Sequence, residues 1–129
     1  MIYSVKTQMD PHRFALHSVD FISENIKQLL GYEPQKISHN ERAWVECIHP
    51  EDASVLELCA KHVFRKGYYT AEYRFRDKDG NWRWIHDDMR LINDKAGRPY
   101  EIVGVCFDIT DRKQMEEELR LLSVTDQLT

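Results

Sequence analysis

Three runs of alternating apolar and polar residues, separated by two tight-turn signals, constrain this chain more than anything else in it. Tyr69–Arg76 sets Ala71, Tyr73 and Phe75 against Glu72, Arg74 and Arg76, the period-2 pattern of a strand with one face in a core. Asp79-Gly80-Asn81 follows, and glycine tolerates the positive φ that a tight hairpin requires. Trp82–Asn93 reads as the next strand. Asp94-Lys95-Ala96-Gly97-Arg98-Pro99 reads as a second turn, and Tyr100–Asp108 as the last strand, with Val103, Val105 and Phe107 on one face. Strands joined by such short turns pair antiparallel, so this part of the chain closes as a three-stranded meander.

Ahead of the meander the signals are helical. Ser23 is placed to cap a helix through Lys27-Gln28-Leu29-Leu30, and Gly31 stops it. Pro34 and Asn40 punctuate further short turns or helices, with Trp44, Val45 and Ile48 as their apolar contacts. His49-Pro50-Glu51-Asp52 reads as a helix start, because proline at the first helical position sacrifices no hydrogen bond and acids in the first turn favour the dipole. That helix is expected to run to about Lys66, with Gly67 as its stop. Val55, Cys59, His62 and Val63 form its apolar stripe, with Leu56 and Leu58 on the flanks. Residues 1–12 read as a loose N-terminal arm or short helix. Arg13–Leu16 and Val19–Ser23 read as two short strands. The pattern is an α+β domain with a single antiparallel sheet.

At 129 residues the chain is long enough for one domain with one core. A net charge of −4 with no basic stripe argues against nucleic acid as a partner, because neutralising phosphates takes clustered Lys and Arg. No apolar run approaches the ~18 residues of a membrane span. Lys6, Asp10, His12 and Arg13 interrupt any signal-peptide core, so a cytoplasmic location is expected, with no membrane within this stretch. Cys47, Cys59 and Cys106 are far apart and in apolar contexts, so reduced, buried thiols are the default and no zinc or redox site is expected. His12, His17, His39, His49 and His86 show no paired spacing for a metal.

The order of elements and several local words resemble a PAS domain, of the PAS/PAC sensor kind and PAS_3-like. Val19-Asp20-Phe21-Ile22-Ser23-Glu24-Asn25-Ile26 through Leu30-Gly31-Tyr32 resembles that family's early strand and helix. His49-Pro50-Glu51-Asp52 resembles the opening of its long helix. Tyr73-Arg74-Phe75-Arg76-Asp77-Lys78-Asp79-Gly80 with Trp84-Ile85 resembles its central hairpin, and Gly104 through Asp108-Ile109-Thr110 its last strand and exit. The resemblance implies a five-stranded antiparallel sheet with helices packed on one face, plus a C-terminal signalling helix. It implies a sensory domain over residues 13–110 and a linker helix over residues 111–124.

In that family the space between the helices and the inner sheet face holds haem, flavin, small carboxylates or other metabolites, and in some members nothing. The candidate pocket residues here are Val55, Cys59, His62, Val63, Ala71, Tyr73 and Phe75. His62 stands where haem-binding relatives place an iron ligand, and an imidazole with a free nitrogen can ligate iron. The plainer reading, a partly buried histidine bonded to a neighbour, is preferred. Cys47 in Val45-Glu46-Cys47-Ile48 lacks the surroundings of a light-reactive flavin cysteine; flavin held without a covalent bond stays open. The cofactor is therefore unknown: none, a small metabolite, or less favoured haem or flavin. Trp82 and Trp84 share a sheet face and read as packing residues before a ligand wall or dimer surface. Glu72, Arg74 and Arg76 read as a solvated or ion-paired face rather than an anion site.

At the exit, Thr110 or Asp111 is placed to cap a helix, and the resemblance implies that Asp108 ties this exit to the sheet. Arg112, Met115, Leu119 and Leu122 then recur at an a/d-like spacing, the seam of a homodimer stalk. The segment Ser123-Val124-Thr125-Asp126-Gln127-Leu128-Thr129 resembles the opening of a GGDEF diguanylate cyclase domain, through Asp126, Leu128 and Thr129. Residues 125–129 would be its first residues, and its metal ligands and GTP contacts would lie beyond them. This stretch itself is expected to be no enzyme. It reads as the sensory module of a diguanylate cyclase, controlling cyclic di-GMP synthesis through dimer geometry. The alternatives are a ligand-free dimerisation scaffold and the sensor of a histidine kinase.

Overall fold

The structure is a computed structural model that describes residues 1–6, 20–38 and 43–128, the side chains of Leu56, Ala60 and residues 124–128 excepted. In chain order it contains β1 (Ile2–Lys6), β2 (Phe21–Ile22), α1 (Ile26–Leu29), α2 (Pro34–Ile37), α3 (Ala43–Cys47), a 3₁₀ turn (Pro50–Asp52), α4 (Val55–Lys66), β3 (Tyr68–Arg76), β4 (Trp82–Asn93), β5 (Pro99–Asp108) and α5 (Thr110–Leu128). The strands form one five-stranded sheet in the order β2-β1-β5-β4-β3, with antiparallel pairing throughout.

The meander forms as its alternation dictates. Tyr73 and Phe75 of β3, Ile85 and Met89 of β4, and Ile102 and Cys106 of β5 are all buried on one face of the sheet. Ile26, Leu30, Ile37, Trp44, Cys47, Cys59 and Val63 cover that face from the helical side and complete a single core. The Asp77–Asn81 turn closes through the Gly80 N–H to the Asp77 carbonyl, and Gly80 has a φ of +86°. Gly67 ends α4 in the left-handed conformation, as its position predicts.

Three local expectations need correction. Where a loose arm or short helix is expected in residues 1–12, Ile2–Lys6 is a strand pairing with both β2 and β5. Val5 and Tyr3 alternate inward on it, a signal too short to stand out from its polar surroundings. Ser23 caps nothing: its hydroxyl accepts from the Ile2 N–H at 2.9 Å, so it ties β1 down. The single helix expected from His49 to Lys66 is interrupted, with the 3₁₀ turn first and α4 starting only at Val55. Asp52 is taken out of the helix because Arg74 of β3 holds it at 2.9 Å. The strand expected at Arg13–Leu16 lies outside the described residues; the one at Val19–Ser23 is present in part as β2.

Candidate functional site

The buried face of the sheet carries a polar centre that the apolar pattern conceals. Asp87 of β4 points inward between Ile85 and Met89, and only 2% of it reaches solvent. Tyr73 of β3 donates its hydroxyl to Asp87 Oδ2 at 2.7 Å, and Tyr3 of β1 donates to Oδ2 at 2.8 Å and to Oδ1 at 3.0 Å. Tyr3 reaches that far because its ring lies across Gly104 of β5. A Cβ at Gly104 would stand 2.2 Å from the Tyr3 ring. Burial pushes the Asp87 carboxyl up to about 6, against the opposing pull of the two hydroxyls. The same burial raises both phenols, pushes the Cys59 thiol to about 12 and raises Cys106. These cysteines are inert, since the thiolate is the reactive form.

The residues singled out for a pocket divide around this centre. Tyr73 belongs to it. Cys59, Val63 and Phe75 are fully buried apolar packing beside it, with Phe75 against Trp44 at a centroid distance of 4.6 Å. Val55 and Ala71 are partly buried and pack against the same core. His62 turns its ring flat onto Tyr69, centroids 4.8 Å apart and planes 11° apart. Its Nδ1 is buried without a hydrogen-bond partner. To ligate an iron, the ring would have to leave that stack. Among the described residues, no group of three or more His, Cys, Asp and Glu side chains is placed to hold a metal ion.

The second constellation lies on the opposite face, where α5 leaves β5. The Asp108 carboxylate accepts from the Thr110 N–H at 2.9 Å and from the Thr110 hydroxyl, so Asp108 itself caps α5. The expectation that Thr110 or Asp111 supplies that cap is corrected here. The buried Thr110 hydroxyl instead faces the sheet and accepts from the Trp84 N–H at 3.0 Å, while the Ile109 N–H donates to the Trp84 carbonyl at 2.9 Å. Arg83 approaches Asp108 at 3.7 Å. Both arms of this tie therefore end on β4.

One turn further, Lys113 Nζ lies 2.8 Å from Glu72 of β3, and Arg112 lies 2.7 Å from it. His86 Nδ1 is 3.1 Å from the same carboxylate. These partners, Lys113 foremost, hold the Glu72 carboxyl down at about 2. Glu72 and Arg74 thus form an ion-paired face, Arg74 through Asp52 and Glu51. Trp84 sits beneath two cations, Lys113 at 4.8 Å and Arg74 at 5.3 Å, and Trp82 packs on His49 at 4.6 Å. Both indoles border an open groove of about 590 Å³ against Lys113, Gln114, Glu117 and Arg120 of α5. Beyond the clasp, Met115, Leu119 and Leu122 are 63%, 65% and 62% exposed.

Comparison with known proteins decides the family. Residues 19–106 match the PAS fold family. The chain is a PAS domain. It is 32% identical over 110 residues to the two-component sensor PprA of Pseudomonas aeruginosa, covering 80% of this chain and 12% of that protein. It is 32% identical over 101 residues to the methyl sulfide methyltransferase-associated sensor of Methanosarcina acetivorans, covering 77% and 10%. The chain thus spans only about a tenth of the curated relatives it matches. Among solved structures, the sensory box histidine kinase/response regulator of Burkholderia thailandensis aligns with a TM-score of 0.72 at 27% identity, covering 99% of this chain and 90% of that one. The N-terminal domain of a Marinobacter aquaeolei diguanylate cyclase with PAS/PAC sensor has the same fold, with a TM-score of 0.70 at 24% identity over 88% and 99%. As a PAS domain the chain is a sensory, non-catalytic module of the kind found in signalling proteins. No helix among its described residues is long and apolar enough to cross a membrane.

Sequence reading missed Asp87; it read Glu72 as part of an ion-paired face, which the structure shows, but did not name its partners. Asp87 was within reach, because period-2 counting from Ile85 and Met89 puts it on the buried face. Nothing local to Glu72 announces partners on a helix about forty residues away.

Proposed function

We propose that this PAS domain receives a signal in the core between α4 and the sheet and passes it to a paired α5 stalk that sets the geometry of an output domain. The observation that carries this reading is the exit itself. Asp108 and Thr110 fasten the first turn of α5 to β4, while Met115, Leu119 and Leu122 project unpartnered from the same helix. A helix of 19 residues is about 28 Å long. An apolar seam along it, facing solvent, suits a parallel partner helix. The sensor then begins with β1, ahead of the residue 13 expected from sequence, and runs to residue 110, with the linker helix over residues 111–124 and the output domain beginning near residue 125.

The output we favour is a diguanylate cyclase, from Asp126, Leu128 and Thr129 in the order of a GGDEF opening. Such an enzyme needs two GTP-loaded domains face to face, so stalk geometry would control cyclic di-GMP synthesis in the cytoplasm. Control of a histidine kinase is the second reading, and the likeness to the sensory box histidine kinase/response regulator of Burkholderia thailandensis favours it. Light scattering on Leu119→Glu/Leu122→Glu tests the stalk: loss of the dimer supports it, and an unchanged dimer sinks it. Assaying the parent protein with GTP and with ATP separates the outputs, cyclic di-GMP against autophosphorylation.

A further inference from the structure

The core of a small α+β domain gains nothing in packing from a carboxylate. Asp87 sits among Ile85, Met89, Ile102 and Cys106, all of them at most 1% exposed. An ionised group in such a place is expensive unless it is fully bonded. Here two phenol hydroxyls from two other strands satisfy it, and Gly104 leaves β5 bare so that one of those phenols can arrive. Four elements therefore converge on one ionisable oxygen pair: β1 through Tyr3, β3 through Tyr73, β5 through Cys106, and β4 itself.

We infer that Asp87 is a proton-binding site through which this domain reads pH, and that its protonation is felt at the α5 exit. This inference rests on the proposed role of that exit. As an anion, the carboxylate accepts both hydroxyls. When a proton from solvent binds one oxygen, that oxygen becomes a donor, and two phenols and a carboxyl then compete for fewer acceptors. One phenol must turn away. Tyr73 has Cys106 beside it as an alternative partner, and Cys106 is paired in register with Asp87 and lies two residues before Asp108. Along β4 itself, Trp84, which holds both Thr110 and Ile109, lies three residues before Asp87. The path from the proton to the exit is thus two short strand segments.

The titratable groups facing Asp87 are Tyr3 from β1, Tyr73 from β3, Cys106 from β5 and Cys59 from α4. His86 acts on it from the other face of β4. Burial holds the phenols and thiols protonated across the neutral range, which leaves Asp87 as the member that changes charge there. His86 is bonded to Glu72 and is the competing explanation for any pH effect at the exit.

The test is a pH titration of the isotopically labelled chain by nuclear magnetic resonance. It follows the Asp87 carboxyl carbon together with the amides of Trp84 and residues 108–112. The expected result is one midpoint near pH 6 in the carboxyl and in the exit amides. The amide shifts should vanish in Asp87→Asn and persist in His86→Gln. Tyr73→Phe, which removes a donor to the anion, should move the midpoint upward, and it serves as the test if Asp87→Asn fails to fold. A carboxyl midpoint near the ordinary value for aspartate overturns the inference. So do exit shifts that survive in Asp87→Asn and disappear in His86→Gln, or a midpoint unmoved or lowered in Tyr73→Phe. A carboxyl that titrates near pH 6 while the exit amides stay still overturns the link to α5. The light-scattering test of the stalk is independent of all these outcomes.

Discussion

Glu72 of β3 and Lys113 of α5 stand 2.8 Å apart, and with Arg112 and His86 on the same carboxylate they clasp the exit helix to the outer face of the sheet. The clasp is half-buried, so it is stronger than an isolated surface pair, for which about 0–1 kcal/mol is usual. Glu72→Gln is expected to release the first turns of α5 by about 1 kcal/mol, roughly a fivefold loss of amide exchange protection over residues 112–117. Protection in the sheet amides should not change. Equal loss in both places would mean that Glu72 supports the whole fold and not the docking of α5.

The same carboxylate gives the clasp a pH dependence of definite sign. Its folded value, about 2, lies below the ordinary 4.5. The stabilisation is therefore present above pH 4.5 and fades as pH falls toward 2. Exchange protection of the first turns of α5 should weaken on acidification through that window in the natural chain and much less in Glu72→Gln.

Thr110 accepts from the Trp84 N–H while it is itself almost wholly buried. Thr110→Val keeps the shape but strands that N–H, and a buried unsatisfied donor costs about 1–3 kcal/mol. Thr110→Ser keeps the hydroxyl and should lose less. Urea unfolding of the two variants checks this, with Val expected below Ser; the reverse order would show that the methyl group matters more than the bond.

Gly104 and Tyr3 are opposite one another across β1 and β5, and the Tyr3 ring occupies the space of the missing side chain. Gly104→Ala forces the ring aside and is expected to destabilise by roughly 1–3 kcal/mol, the usual range for overpacking. Because the clash needs the ring, Tyr3→Ala should remove much of that penalty. The double mutant should therefore be more stable than the sum of the single losses implies. Strict additivity would disprove the contact.

The meander was legible because its signals are local: alternation within Tyr69–Arg76, Asp-Gly at the first turn, and Gly97-Arg98-Pro99 at the second. The end of α4 was legible for the same reason, since Gly67 alone supplies the left-handed stop. What stayed hidden depends on residues distant in sequence. β1 is a strand because β5 and β2 bracket it, not because Ile2–Lys6 has a strong pattern of its own. Asp52 leaves the helix it was expected to start because Arg74 claims it. The polar centre was hidden differently: Tyr73 reads as an apolar core residue, and only Asp87 shows why its hydroxyl is there.

Asp87 also sets how stability varies with pH, with a sign opposite to that of Glu72. Its folded value, about 6, lies above the ordinary 3.8, so the folded chain holds a proton that the unfolded chain has released. Its contribution is fully present below pH 3.8 and is lost as pH rises through about 6. Asp87→Asn keeps the shape and never ionises. It should leave stability near pH 4 almost unchanged and raise it at pH 7 by on the order of 2–3 kcal/mol, the equivalent of a shift of about two pKa units. Chemical denaturation of both proteins at pH 4, 5, 6 and 7 would trace the crossover. A variant less stable than the natural chain at pH 7 would mean that the ionised carboxylate, held by Tyr3 and Tyr73, is a net support of the fold and not a burden on it.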